Sequence, residues 1–96
     1  MIIGSPKEIE TGEARVAMTP DSATALQKLG HGCLIESGAG RAAGFDDASY
    51  EAAGVTVVKT SAALFKQADI IAKVRPPSEA EIKQVRDGQT LISFFY

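Results

Sequence analysis

Apolar side chains gather in five short runs along the chain, and the stretches between them carry the three-to-four spacing of helices. The runs are Met1–Gly4, Gly32–Ser37 (G-C-L-I-E-S), Val55–Val58 (V-T-V-V), Ile70–Val74 (I-I-A-K-V) and Thr90–Tyr96 (T-L-I-S-F-F-Y). Most are continuous rather than alternating, the pattern of strands covered on both faces of a parallel sheet. Between the first two lies T-P-D-S-A-T-A-L-Q-K-L-G. Thr19 suits the N-cap, Pro20 the first helical position and Asp21 the positive end of the helix dipole. Ala23, Leu26 and Leu29 share one face, and Gly30 stops the helix. A second helix is expected over D-D-A-S-Y-E-A-A-G, closing at Gly54. A third runs over T-S-A-A-L-F-K-Q-A, capped by Thr60 or Ser61. The fourth, S-E-A-E-I-K-Q-V, has Ser78 as cap and Glu81 three residues on, the spacing of a capping box. Strands alternating with helices predict right-handed crossovers and an α/β fold. The expected architecture is a flavodoxin-like three-layer sandwich with strand order 2-1-3-4-5.

Composition changes this picture little. The 96 residues set one domain with a small core as the expectation. A net charge of −2 provides no basic footprint for nucleic acid or an anionic membrane. The single cysteine, Cys33, excludes an internal disulfide framework and fits a reducing compartment. No apolar run approaches the roughly 18 residues of a bilayer span, and the N-terminus lacks the features of a signal peptide. Cytoplasmic exposure is therefore expected. The closing run L-I-S-F-F-Y is unusual, because terminal residues are normally solvated and frayed. It is read as a central strand in a piece of a longer protein.

Candidate chemistry is sparse. In E-S-G-A-G-R-A-A-G, Gly38, Gly40 and Gly44 imitate a dinucleotide fingerprint, but the spacing is G-x-G-x-x-x-G and the acidic residue expected some twenty positions on is missing. A tight turn after the second strand accounts for these glycines more simply. Arg15, set among small and apolar neighbours after the first strand, and Lys73, at the end of the fourth apolar run, both lie where parallel sheets bind ligands. Together they would suit a small carboxylate. The competing reading pairs Arg15 with Glu8 or Glu13 and lets Lys73 reach solvent. His31 reads as a surface turn residue and Cys33 as a small core hydrophobe. No metal-ligand spacing is present, so no metal is expected. Phe94, Phe95 and Tyr96 read as core or interface residues.

The opening I-I-G-S-P-K-E-I-E-T-G-E-A-R-V-A-M-T-P, followed by L-G-H, I-E-S-G-A-G, G-F-D-D, Y-E-A-A-G and K-V-R-P-P, resembles the alanine dehydrogenase and pyridine nucleotide transhydrogenase family over essentially the whole chain. The resemblance implies two doubly wound lobes. Residues 1–96 would belong to the N-terminal lobe, and the Rossmann lobe that binds NAD(H) would lie beyond them. It also implies that Arg15 and Lys73 match the family's carboxylate-binding arginine and lysine, an anion pocket in the substrate-like position.

The family has two branches. In the dehydrogenases a histidine acid/base stands at the position matching Tyr96, and a phenol with a pKa of about 10 is a poor proton shuttle at neutral pH. L-I-S-F-F-Y is similar to the transhydrogenase version, in which Tyr96 would border the cleft or an interface. That branch implies hydride transfer between NAD(H) on an alpha subunit and NADP(H) on a partner component, coupled to proton translocation. The partners implied are the remainder of the alpha subunit, a beta subunit and a second alpha subunit. The place implied is the cytoplasmic face of the inner membrane, with no membrane insertion by this segment. On this reading residues 1–96 alone are inactive. The alternative is an NAD-dependent alanine dehydrogenase, which oxidatively deaminates alanine to pyruvate.

Overall fold

The computed structural model describes residues 1–9 and 12–94. Five parallel strands form one sheet: β1 (Ile2–Ser5), β2 (Gly32–Glu36), β3 (Thr56–Val58), β4 (Ile70–Lys73) and β5 (Thr90–Ser93). Four helices connect them: α1 (Pro20–Lys28), α2 (Asp47–Ala52) after a 3-10 turn at Arg41–Ala43, α3 (Ser61–Gln67) and α4 (Glu79–Gln84). Each begins at a side-chain cap. Thr19, Asp46, Thr60 and Ser78 accept the backbone N–H three residues on. At α1 and α4 the cap is reciprocal, with Ser22 and Glu81 reaching back.

The sheet order is β3-β2-β1-β4-β5, which corrects the expected 2-1-3-4-5. The three-residue β3, with Thr56 exposed, lies outside β2 instead of between β1 and β4. A short, half-exposed strand suits an edge. β4 takes the free side of β1, pinned by Asp69 N–H to the Ile2 carbonyl at 2.7 Å. The last run is likewise corrected: among the described residues β5 is the outer strand, not a central one, and its side chains alternate between exposed and half-buried. Phe95 and Tyr96 lie outside the described residues.

This order dictates the layers. The chain moves outward from β1 to β3, then returns across the sheet to β4. Right-handed crossovers place helices on opposite faces when the direction reverses. Accordingly Ala23 of α1 and Tyr50 of α2 pack with Ile3, Cys33 and Ile35 on one face. Leu64, Phe65 and Ala68 of α3 and its C-cap pack with Leu34 and Ile71 on the other. At Gly4 a Cβ would lie 2.9 Å from the Ala68 Cβ, so α3 sits closer to β1 than any side chain permits.

The described parts of the connection between β1 and α1, residues 6–9 and 12–19, contribute Glu8, Glu13 and Arg15 to the site, and its α1 end is anchored by α2. The Tyr50 hydroxyl, fully buried, donates to the Met18 carbonyl at 2.7 Å. Burial, and secondarily the charge of Asp47, pushes the Tyr50 phenol up to about 12. A folded-state pKa above the unfolded value stabilises below the unfolded pKa and is lost as pH rises through the folded one. Stability is therefore expected to fall between pH about 10 and about 12. In Tyr50→Phe the fall should be smaller, as read by urea unfolding at pH 9 and pH 11.5. An identical alkaline loss in both proteins would refute the assignment to Tyr50.

Candidate functional site

The order of strands reverses between β1 and β4, and at such a switch point the loops diverge from the carboxyl ends to leave a crevice. Here the crevice is lined by Glu8 and Ile9 from the loop after β1, Lys73 and Arg75 from the end of β4, and Ser78 and Glu81 from the start of α4. Pro76 and Pro77 end the strand and direct the chain into α4.

Lys73 does not reach solvent. Its side chain is 1% exposed, and its ammonium lies 3.0 Å from Glu8 Oε1 and 3.2 Å from Glu81 Oε2. Glu8 is fastened further, since Oε2 accepts the Val74 N–H at 2.9 Å and Oε1 the Arg75 N–H at 3.2 Å. Glu81 is held from its other oxygen, where Oε1 accepts the Ser78 N–H at 2.9 Å. The helix cap thus aims the second oxygen of the same carboxylate at the buried lysine. A buried ammonium requires such partners, because desolvation otherwise outweighs the rest.

Arg15 pairs with Glu13 at 2.8 Å, and Arg75 contacts the same Glu13 oxygen at 2.8 Å. Hydrogen bonds from the Arg15 side chain, then from its backbone, and then from Arg75 hold the Glu13 carboxyl far below the usual carboxylate range. Three cations, Arg15, Lys73 and Arg75, therefore stand against three carboxylates, Glu8, Glu13 and Glu81. The two residues singled out in the sequence lie at one end of the sheet. They are linked through this network, by way of Glu8, the Arg75 backbone and Glu13. Arg75 and the three carboxylates were not foreseen as one site. The competing sequence reading, which paired Arg15 with Glu8 or Glu13, is right about Glu13 and wrong in letting Lys73 reach solvent, and no local spacing reveals that Glu8 and Glu81 meet Lys73 or that Arg75 meets Glu13.

The glycine loop is not an open anion seat. Asp47 fills it, accepting the Gly38 N–H at 2.9 Å and the Ser37 hydroxyl at 2.6 Å, and these two bonds lower its pKa in that order. Gly40 packs beneath Tyr50. Cys33 is buried beside the Ala23 carbonyl, and burial pushes its thiol pKa up, away from a reactive thiolate. His31 is half-buried, with Nδ1 enclosed and unpartnered among the described residues. Among those residues no three His, Cys, Asp or Glu side chains gather as metal ligands, and no helix is long and apolar enough to cross a membrane.

A family profile described as "Alanine dehydrogenase/PNT, N-terminal domain" matches residues 4–96. A relative named NAD(P) transhydrogenase subunit alpha, from Cereibacter sphaeroides, is 65% identical over the full chain, which spans 18% of that relative's length. A solved transhydrogenase from Sinorhizobium meliloti superposes with a TM-score of 0.91 at 40% identity, over 97% of this chain and 27% of the other. A solved L-alanine dehydrogenase superposes with a TM-score of 0.93 at 36% identity, over 100% of this chain and 26% of the other.

Proposed function

The chain belongs to the alanine dehydrogenase/pyridine nucleotide transhydrogenase family, and from that premise we propose that it is the N-terminal segment of the alpha subunit of a proton-translocating NAD(P) transhydrogenase. The observation that carries this reading is the 65% identity, over every residue, to a transhydrogenase alpha subunit. The parent would pass hydride between NAD(H), held by the remainder of the subunit, and NADP(H) on a partner component. Direct transfer between two nicotinamides asks for no protein acid or base. We place the complex, with paired alpha subunits and a beta subunit, at the cytoplasmic face of the inner membrane.

The residues described here do not themselves form a dinucleotide cradle. The Gly38 N–H is spent on Asp47, and the space above Gly40 is filled by Tyr50. The lobe's part in the parent is therefore that of a wall: a sheet end whose crevice is lined by Glu8, Arg75 and Glu81 around the buried Lys73. Exposed Ile92, Phe94 and Leu29 supply an apolar flank for the remainder of the subunit to cover. Arg15 and Lys73 constitute the inherited anion pocket, with Lys73 committed to structure.

The test is hydride transfer by the full-length protein with its partner component, using NADH as donor and NADP⁺ as acceptor. NADPH production supports the proposal. NADH oxidation that needs pyruvate and ammonium and no NADP⁺ would replace it with alanine dehydrogenase, a reading favoured by the superposition on that enzyme. Residues 1–96 alone are expected to bind no NADH in a fluorescence titration. Micromolar binding would contradict the assignment of the cofactor to the rest of the subunit.

A further inference from the structure

The two faces of β4 and β5 are covered unequally. On the α3 face, Ile71 and Leu91 pack with Leu64, Phe65 and Val85. On the α1 face, Ile70 and Ala72 of β4 are half-buried, and Ile92 of β5 and Phe94 just after it are 44% and 55% exposed. These four residues join Ala25 and the 75% exposed Leu29 of α1 in lining one apolar groove. Among the described residues no helix covers it. A sheet face meant for water carries polar side chains at such positions, and apolar ones mark a face that is covered in the whole molecule. The width suits one helix. A helix is about 10 Å across and strands lie about 4.8 Å apart, so one helix beside α1 spans β4 and β5 together. Ala25 and Ala72 keep the flank and the floor low, which lets that helix seat closely.

The superposed transhydrogenase and alanine dehydrogenase are matched over 27% and 26% of their lengths, so most of such a subunit lies beyond this segment. Both share the fold, and a cover supplied within the subunit serves both. The connection leaving β5 is not that cover. A right-handed crossover to a strand on the outer edge of β5 falls on the α3 face, where α4 already joins β4 to β5. We infer that the groove between α1 and β5 seats an amphipathic helix of the same subunit, returning from chain beyond the unit that directly follows β5. Its apolar side chains at i, i+3, i+4 and i+7 rest on Leu29, Ile92 and Phe94. The inference rests on the proposal that residues 1–96 open a longer subunit, and it is independent of hydride transfer. A missing transhydrogenation activity with the seated helix intact would remove the enzymatic reading alone. The reverse outcome would remove this inference alone.

The test uses the full-length subunit without its partner component, as an equal mixture of isotopically light and heavy copies. Benzoylphenylalanine replaces Leu29 in one variant and Ile92 in another, and illumination links each to whatever lies against it. Both positions should link within one copy, to one peptide of apolar three-to-four spacing that begins about 30 residues or more past Tyr96, the length of a strand–helix–strand unit. A link between light and heavy copies, a link to the stretch directly after β5, or no link from either position overturns the inference. Should the substituted proteins fail to fold, carbene footprinting of the unsubstituted subunit replaces them. Labelling of Leu29, Ile92 and Phe94 should then be roughly fivefold weaker than their exposures of 75%, 44% and 55% give, and unchanged on dilution. Full labelling, or protection that dilution removes, overturns it.

Discussion

Lys73→Met destabilises the protein by about 3–5 kcal/mol, the range measured when one partner is removed from a buried ion pair. The cost comes from what is left behind. Glu8 and Glu81 are 3% and 5% exposed, and without the ammonium two carboxylates face one another out of water. Both are needed elsewhere, Glu8 by the Val74 and Arg75 amides and Glu81 by the start of α4. Neither can swing out without uncapping a helix or freeing backbone donors. The total stability of a small domain is on the order of 5–15 kcal/mol, so the variant approaches the unfolding threshold at room temperature. Urea unfolding followed by circular dichroism measures it. Adding Glu81→Gln should restore part of the loss, because it removes one of the opposed charges. A loss below about 1 kcal/mol for Lys73→Met would mean that water reaches the cluster and that the burial argument is wrong.

Gly40→Ala is the second large effect, about 2–3 kcal/mol, at the upper end of overpacking costs. A Cβ at position 40 would lie 2.5 Å from the Tyr50 hydroxyl oxygen, 2.6 Å from Tyr50 Cε2 and 2.9 Å from the Phe45 carbonyl oxygen. The carbonyl belongs to the backbone and gives little. Tyr50 is fully buried, and its retreat breaks its bond to the Met18 carbonyl, which holds the loop leading to α1. The clash therefore propagates from the glycine loop towards the segment that carries Arg15. Thermal unfolding should show a drop of roughly 8–24 °C for a domain of this size. This outcome separates two meanings of the glycine. A residue kept small for a pyrophosphate would tolerate alanine in the absence of nucleotide, whereas one kept small for Tyr50 fails without any ligand. A change under about 0.5 kcal/mol would return the loop to the phosphate-binding reading.

Much of the architecture was legible because its causes are local. A cap, a proline at the first helical turn and a glycine at the end act within a few residues. The helices over Thr19, Thr60 and Ser78 therefore begin where the spacing of Ser, Thr and their partners puts them. Continuous apolar runs likewise announced a parallel sheet, since a strand covered on both faces has no polar side to show. The run V-T-V-V looked equally buried but is an edge strand. Three residues of high β propensity read the same at the edge and in the middle. Glu81 shows the boundary most clearly within one side chain. Its capping oxygen was predictable from a three-residue offset, and its second oxygen meets Lys73 only after β4 and α4 have folded together.

By itself the sequence determined the alternation of strands and helices, the caps, and the positions of Arg15 after the first strand and Lys73 at the end of the fourth. These follow from side-chain chemistry and backbone preference over short stretches of chain. Tertiary structure alone decided that β4 pairs with β1, which creates the switch point. It also decided that Glu8, more than sixty residues away in sequence, neutralises Lys73, and that Glu13 holds two arginines at once. Charge pairing in a buried crevice is set by which loops the sheet order brings to one end, and nothing in the local chain encodes that order.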